Sequence, residues 1–133
     1  MNQSKKKILC IEDDAFFLGL LSGLLQNTPG VFVMGAHNGV DGILMAKTEK
    51  PDLVLLDLML PDIRGTEVLS QIKSLEGMAS VPIIIFSNLT DRDEVERCLA
   101  LGAHSYFVKS NTLPSEMVEI VAKELGITNF AVL

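Results

Sequence analysis

Asp57 ends the run PDLVLLD, in which four consecutive apolar residues, Leu53 to Leu56, lead directly into a carboxylate. A carboxylate beside so much apolar chain is costly to keep ionised without partners, so it demands a function or a counter-charge. Three other places share this form: ILCI runs into Glu12-Asp13-Asp14, PIIIF into Ser87 and YFV into Lys109. Two or three carboxylates, one hydroxyl and one ammonium could then meet in one pocket. A carboxylate is ionised at neutral pH and attacks without a base beside it. Neither His37 nor His104 is required.

The elements that must carry these residues read as alternating strands and helices. ILCI (Ile8 to Ile11), VFVMG (Val31 to Gly35), LVLL (Leu53 to Leu56), PIIIF (Pro82 to Phe86) and YFV (Tyr106 to Val108) are strand-like, with helical patterns and Gly or Pro punctuation between them. This is the pattern of repeated strand-helix units around a mostly parallel sheet. The first helix begins near Asp14 or Ala15 and stops by Pro29-Gly30, with Leu20, Leu21, Leu24 and Leu25 at core spacing and Phe16 and Leu18 outward. The second starts at an Asn38 cap, turns Val40, Ile43 and Leu44 inward and ends before Pro51. The third follows Gly65-Thr66 and repeats Val68, Leu69, Ile72 and Leu75. The fourth buries Val95, Cys98 and Leu99 and stops at Gly102; the fifth opens near Pro114 and packs Met117, Val121 and Leu125. In open parallel sheets, ligands bind beyond the carboxyl ends of the strands, where the strand order reverses. With the order 2-1-3-4-5, Asp13 and Asp57 fall on adjacent strands, and Ser87 and Lys109 approach from the other side.

The chain of 133 residues, 48% hydrophobic and 21% charged, is expected to form one globular domain, with a core over about 6–126 and a C-terminal tail at 127–133. A net charge of −6 argues against a nucleic-acid partner. Cys10 and Cys98 suggest neither a disulfide framework nor a metal set and suit a reducing cytoplasm. The longest nearly unbroken apolar stretch, Ala15 to Leu25, is too short to span a bilayer, and no targeting segment is evident, so a cytoplasmic protein without a membrane partner is expected. From Ala15 to Asn38 there is no charged residue. That fits a kinase-docking or homodimer face at Phe16 and Leu18, and equally the scattered exposed apolar residues of any surface.

Taken together and in order, ILCIEDD, LLDLMLPDIRG, VPIIIFSN and GAHSYFVK resemble the four signature segments of the receiver domain of two-component response regulators. The similarity runs from about Ile8 to Leu125. It implies a flavodoxin-like, doubly wound α/β fold, with a five-stranded parallel sheet and five helices. It implies further that Asp57 is the phospho-acceptor and that Mg²⁺ is held by Glu12, Asp13, Asp57 and the Met59 backbone carbonyl. Ser87 takes the position of the switch hydroxyl, Tyr106 that of the switch aromatic, and Lys109 that of the phosphate-contacting lysine. The function so implied is a signalling switch that receives a phosphoryl group from a sensor histidine kinase or phosphotransfer protein. It would catalyse only its own phosphorylation and dephosphorylation, and act on an output protein through the face made by the fourth helix, fifth strand and fifth helix.

Two other readings compete. A haloacid-dehalogenase-like phosphatase also uses an aspartyl nucleophile on a parallel sheet, but it wants a second aspartate two residues on, where Met59 stands. A receiver fold used only as an unphosphorylated interaction module would leave Asp57 and Lys109 as a structural ion pair. After Leu125 only GITNFAVL remains, which fits either a single-domain regulator or a receiver cut from a longer protein. Two positions depart from the family pattern. Asn88 replaces the usual small residue and narrows access to the pocket, and Ser110 replaces the usual proline. A cis bond to a non-proline residue costs about 2.5–4 kcal/mol, so the Lys109–Ser110 bond is expected to be trans.

Overall fold

In the first strand, β1 (Lys6–Ile11), Ile8 and Cys10 face one side of the sheet and Leu9 and Ile11 the other, and all four are buried. A strand apolar on both faces needs cover on both, which is how parallel sheets are built. The computed structural model describes residues 5–127, so most of the expected tail, 128–133, lies outside the described residues. After β1 come α1 (Ala15–Gln26), β2 (Val31–Ala36), α2 (Gly39–Glu49), β3 (Leu53–Leu56) and α3 (Gly65–Ser74). They are followed by β4 (Ile83–Ser87), α4 (Arg92–Ala100), β5 (Ser105–Val108), a short 3-10 turn at Lys109–Asn111 and α5 (Pro114–Leu125). The five strands are all parallel and run in the order β2-β1-β3-β4-β5, as expected. Strand limits differ from the expected ones by a residue or two, as terminal pairs fray or extend.

Two apolar layers sandwich the sheet. One joins Leu9, Ile11, Val54, Leu56 and Ile85 to Val68, Leu69 and Ile72 of α3 and Cys98 of α4. The other joins Ile8, Cys10, Leu55 and Ile84 to Leu18, Leu21 and Leu25 of α1 and Met117, Val118 and Val121 of α5. The chain turns from β1 outward to β2 and then crosses back to β3, which places the reversal of strand order between β1 and β3.

Three helices are rotated from their expected faces. In α1 the buried residues are Leu18, Leu21 and Leu25, whereas Leu20 is 41% and Phe16 82% exposed. Positions i, i+3 and i+7 form one helical face, and Leu18 rather than Leu20 starts it. With no charged residue in the helix, apolar spacing alone had no polar face to orient it. In α2, Val40 and Leu44 point to solvent, and Gly39, Gly42 and Ala46 line the inner face. Here small residues let the helix lie close to the sheet: a Cβ on Gly42 would sit 2.5 Å from Ile11 Cδ1. In α4 only Cys98 is buried and Leu99 is 46% exposed. The Asn38 cap is present, its Oδ1 accepting the Asp41 N–H at 2.8 Å. A second cap was not foreseen. Asp62, from the β3–α3 loop, accepts the N–H groups of Gly39 and Val40 at 2.8 and 2.9 Å, and these bonds hold its carboxyl below the usual range.

Both cysteines are free and buried, on opposite faces of the sheet. Burial, with the Glu12 charge adding to it, pushes the Cys10 thiol from 9.0 up to about 12. The native thiol therefore stays protonated where the unfolded one ionises. Between pH 9 and 12 the folded state binds more protons, so stability falls as pH rises, by about 1 kcal/mol per pH unit for this group. Denaturant titrations at stepped pH should show that decline, and a Cys10→Ala variant should lose that part of it.

Packing at two glycines predicts opposite signs. A Cβ on Gly65 would lie 2.3 Å from the Leu58 backbone Cα, whereas one on Gly19, on the outer face of α1, meets nothing within 4 Å. Gly65→Ala should destabilise by about 1–3 kcal/mol through overpacking. Gly19→Ala should stabilise by about 0.5–1 kcal/mol through helix propensity. Urea unfolding midpoints of the two variants check both.

Candidate functional site

The carboxyl ends of β1 and β3 are held together beyond the last strand residues. The Asp57 N–H donates to the Ile11 carbonyl at 3.0 Å, and the Glu12 N–H donates to the Ala36 carbonyl at 2.9 Å. The backbones of Asp57 and Glu12 thus belong to the sheet although their side chains belong to the edge. Both carboxylates are nearly enclosed, with Asp57 7% and Glu12 5% exposed.

Lys109 meets both. Its ammonium donates to Asp57 Oδ2 at 3.0 Å and pairs with Glu12 Oε1. It also lies over the Phe17 ring, 4.3 Å from the centroid, where a cation meets the negative face of the aromatic system. Asp57 Oδ1 accepts the Met59 N–H at 3.2 Å, so both carboxylate oxygens are engaged. Burial raises the pKa of Glu12; the Lys109 bond and the Asp14 N–H act against this, and the charge of Asp57 adds to it. Crowding of like charge is therefore felt in the site even with the ammonium between the two groups.

The remaining acidic residues divide by role. Asp14 caps α1, accepting the N–H groups of Phe16 and Phe17 at 3.0 and 3.2 Å. Asp13 is exposed at the rim. Among the described residues no three His, Cys, Asp or Glu side chains converge as a ready metal cage. A hard cation does not require one. Mg²⁺ keeps several waters and takes one or two carboxylates with other oxygens. Two enclosed carboxylates around one lysine form an oxygen-rich, net negative pocket that fits such an ion, and Asp13 directly follows Glu12 in the chain.

Ser87 and Tyr106 meet at a shared loop residue. Ser87, fully buried at the end of β4, accepts the Leu89 N–H on its hydroxyl at 3.4 Å. Tyr106 on β5 donates its hydroxyl to the Leu89 carbonyl at 2.6 Å, and burial pushes its pKa up. The Met59 side chain is 58% exposed beside the pocket. The Lys109–Ser110 bond is trans, with no cis peptide bond among the described residues.

Sequence reasoning missed two contacts here. Phe17 was read only as part of an apolar helix, although its place just after a capping aspartate puts it in the first turn above the pocket. Asn88 was read as bulk; its Oδ1 accepts the Ser110 N–H at 2.9 Å.

Comparison with known proteins agrees with this geometry. A family model described as the response regulator receiver domain matches residues 8–122. The chain is 26% identical over 121 residues to the polar-differentiation response regulator DivK of Brucella anthropi, covering 91% of this chain and 97% of DivK. It is 36% identical over 111 residues to the nitrate/nitrite response regulator NarL of Escherichia coli K12, covering 81% of this chain and 50% of NarL. Among solved structures, the CheY-like receiver from Methanospirillum hungatei JF-1 superimposes with a TM-score of 0.85 at 27% identity, over 92% of this chain and 95% of that one. The Mn²⁺-bound form of the response regulator Rcp1 does so with a TM-score of 0.78 at 26% identity, over 96% and 99%. The enclosed aspartate, the lysine paired to it and the family match together place the chain in the response regulator receiver family.

Proposed function

We propose that the chain is a phospho-acceptor switch, one receiver domain with its core over about 6–126, acting in the cytoplasm. The observation that carries this reading is the Lys109 ammonium 3.0 Å from the enclosed Asp57 carboxylate at the reversal of strand order. An Asp57 oxygen attacks the phosphorus of a phosphohistidine on a sensor histidine kinase or phosphotransfer protein. A P–O bond forms, the P–N bond breaks, and the imidazole leaves with its electron pair and takes a proton from solvent. Lys109 is already within reach of the negative charge that gathers on the phosphoryl oxygens, and it acts as a point charge on a flexible stem. Asp13, Glu12, Asp57 and the Met59 carbonyl are the groups that would hold Mg²⁺. When bound, the ion supplies charge neutralisation at the phosphoryl oxygens.

The Leu89 peptide links this chemistry to a surface. The weak Leu89 N–H bond to Ser87 yields when the hydroxyl turns toward a phosphoryl oxygen, and Tyr106 is tied to the other side of the same residue. Phosphorylation thereby biases the loop between β4 and α4 and reshapes the face of α4, β5 and α5 for an output protein. The exposed Phe16 and Leu20 of α1 offer a separate apolar face for kinase docking or self-association. Leu18, expected there, is only 7% exposed.

Incubation with acetyl phosphate and Mg²⁺ should add one phosphoryl group by intact mass, and Asp57→Ala should take up none. Equal uptake by that variant would move the acceptor elsewhere. Because Glu12 and Asp57 crowd like charge, Mg²⁺ at about ten times its dissociation constant should stabilise the fold by about 1.4 kcal/mol. In Asp13→Asn most of that thermal shift should vanish, and an unchanged shift would remove Asp13 from the metal site.

A further inference from the structure

We infer that Asn88 is a positioning residue for Lys109. It holds the lysine's backbone in place by binding the next peptide N–H, so that the ammonium reaches the phosphoryl site in register. The inference rests on the phospho-acceptor reading of that site. The β4–β5 ladder ends at the pair Ser87 and Val108. One step further the backbones no longer pair, and the Asn88 side chain takes over, its Oδ1 accepting the Ser110 N–H at 2.9 Å. The amide oxygen stands in for the strand carbonyl that a longer ladder would have supplied.

Lys109 is therefore clamped on both sides. On its N-terminal side Val108 is paired within the sheet, and its carbonyl accepts the Thr112 hydroxyl at 2.9 Å. The Lys109 carbonyl itself accepts the Thr112 N–H at 3.2 Å, which closes the 3-10 turn. On its C-terminal side the Ser110 N–H is fixed by Asn88. This matters because a lysine stem has four flexible carbons, and the ammonium is directed only as well as its Cα. Here that ammonium must satisfy Asp57 and Glu12 while resting on Phe17. Asn88 and Ser110 are both exposed, so water could satisfy the N–H if the asparagine were absent. What water cannot do is join the end of β4, where Ser87 sits, to the residue after Lys109. The bond makes the hydroxyl and the ammonium parts of one frame.

The test compares the wild type, Asn88→Ala, Ser110→Pro, which deletes the donor, and the double variant. Two quantities are measured: the rate of phosphoryl uptake from acetyl phosphate with Mg²⁺, and the NMR shift of the Lys109 ε-methylene protons, displaced by the Phe17 ring current. Asn88→Ala should slow uptake by about threefold to tenfold, the worth of one net hydrogen bond. It should also move the ε-methylene shift toward the value of a solvated lysine and speed hydrogen exchange at the Ser110 amide. In the Ser110→Pro background the same substitution should change neither rate nor shift. An unaltered ε-methylene shift in Asn88→Ala overturns the inference. So does equal acceleration or slowing in both backgrounds, which would make the bulk of Asn88, and not its bond, the cause. Should Ser110→Pro not fold, an unaltered Ser110 exchange rate in Asn88→Ala has the same force. Should the wild type take up no phosphoryl group, the phospho-acceptor reading falls, and the ring-current shift alone decides whether Asn88 positions Lys109.

Discussion

The Lys109 ammonium between Glu12 and Asp57 is the interaction on which the rest of the edge depends. Two carboxylates less than a tenth exposed cannot both stay ionised side by side without a cation, and the sheet brings them there regardless, because their strands are neighbours. The lysine arrives from two strands away, from the end of β5, so the full width from β1 to β5 must be assembled before the charge is balanced. Assembly of the fold and assembly of the site are thus one event. Phe17 adds to this, since the ring under the ammonium belongs to the helix that follows β1. Sheet and helix together fix one charge.

Rigidity beneath the site comes from close approach. β3 is buried along its whole length, and Asp57 follows without a break, its N–H still in the ladder with β1. Beyond it the chain must turn sharply back to start α3, and it does so by passing Gly65 against the Leu58 backbone, with the Gly65 N–H donating to the Leu58 carbonyl at 3.1 Å. Asp62 fastens the middle of the same loop to the first turn of α2. The loop carrying Met59 is therefore tied at both ends and in the middle, unlike a free surface connection.

The polar residues of the site were legible in the sequence because each interrupts or ends an apolar run: Glu12 after ILCI, Asp57 after LVLL, Ser87 after PIIIF, Lys109 after YFV. Strand ends announce themselves where the core stops. Strand order and helix count were legible from the same alternation. Helix orientation was less so, for a physical reason particular to each helix. In α1 no residue is charged and leucines lie on several faces, so Leu18 and Leu20 could not be told apart until the neighbouring β2 and α5 were in place. In α2 the core contact is made by what is missing, the side chains of Gly39 and Gly42, and hydrophobicity gives no weight to an absent side chain. The Asp62 cap and the Asn88 bond each span more than twenty residues. Capping rules read neighbours three or four residues apart, so neither could be found that way.

Buried contact is distributed unevenly between the helices on one side of the sheet. α3 buries Gly65, Thr66, Val68, Leu69 and Ile72, whereas α4 buries only Cys98. Free energy of local opening follows buried apolar contact, so α4 and the loop before it can move at far lower cost than α3. That loop is held by unequal bonds on the two sides of Leu89, a long one to Ser87 at 3.4 Å and a short one from Tyr106 at 2.6 Å. The weaker bond ends on the Ser87 hydroxyl at the close of β4, and the stronger one ties the loop to Tyr106 on β5. A displacement of the Ser87 hydroxyl would therefore act on the bond easiest to exchange, while the bond to Tyr106 ties the loop to β5. A two-state element needs its states within a few kcal/mol of each other if one ligand is to shift it. A helix with one buried residue, next to a loop held by one long and one short hydrogen bond, is closer to that condition than α3 with its five buried residues.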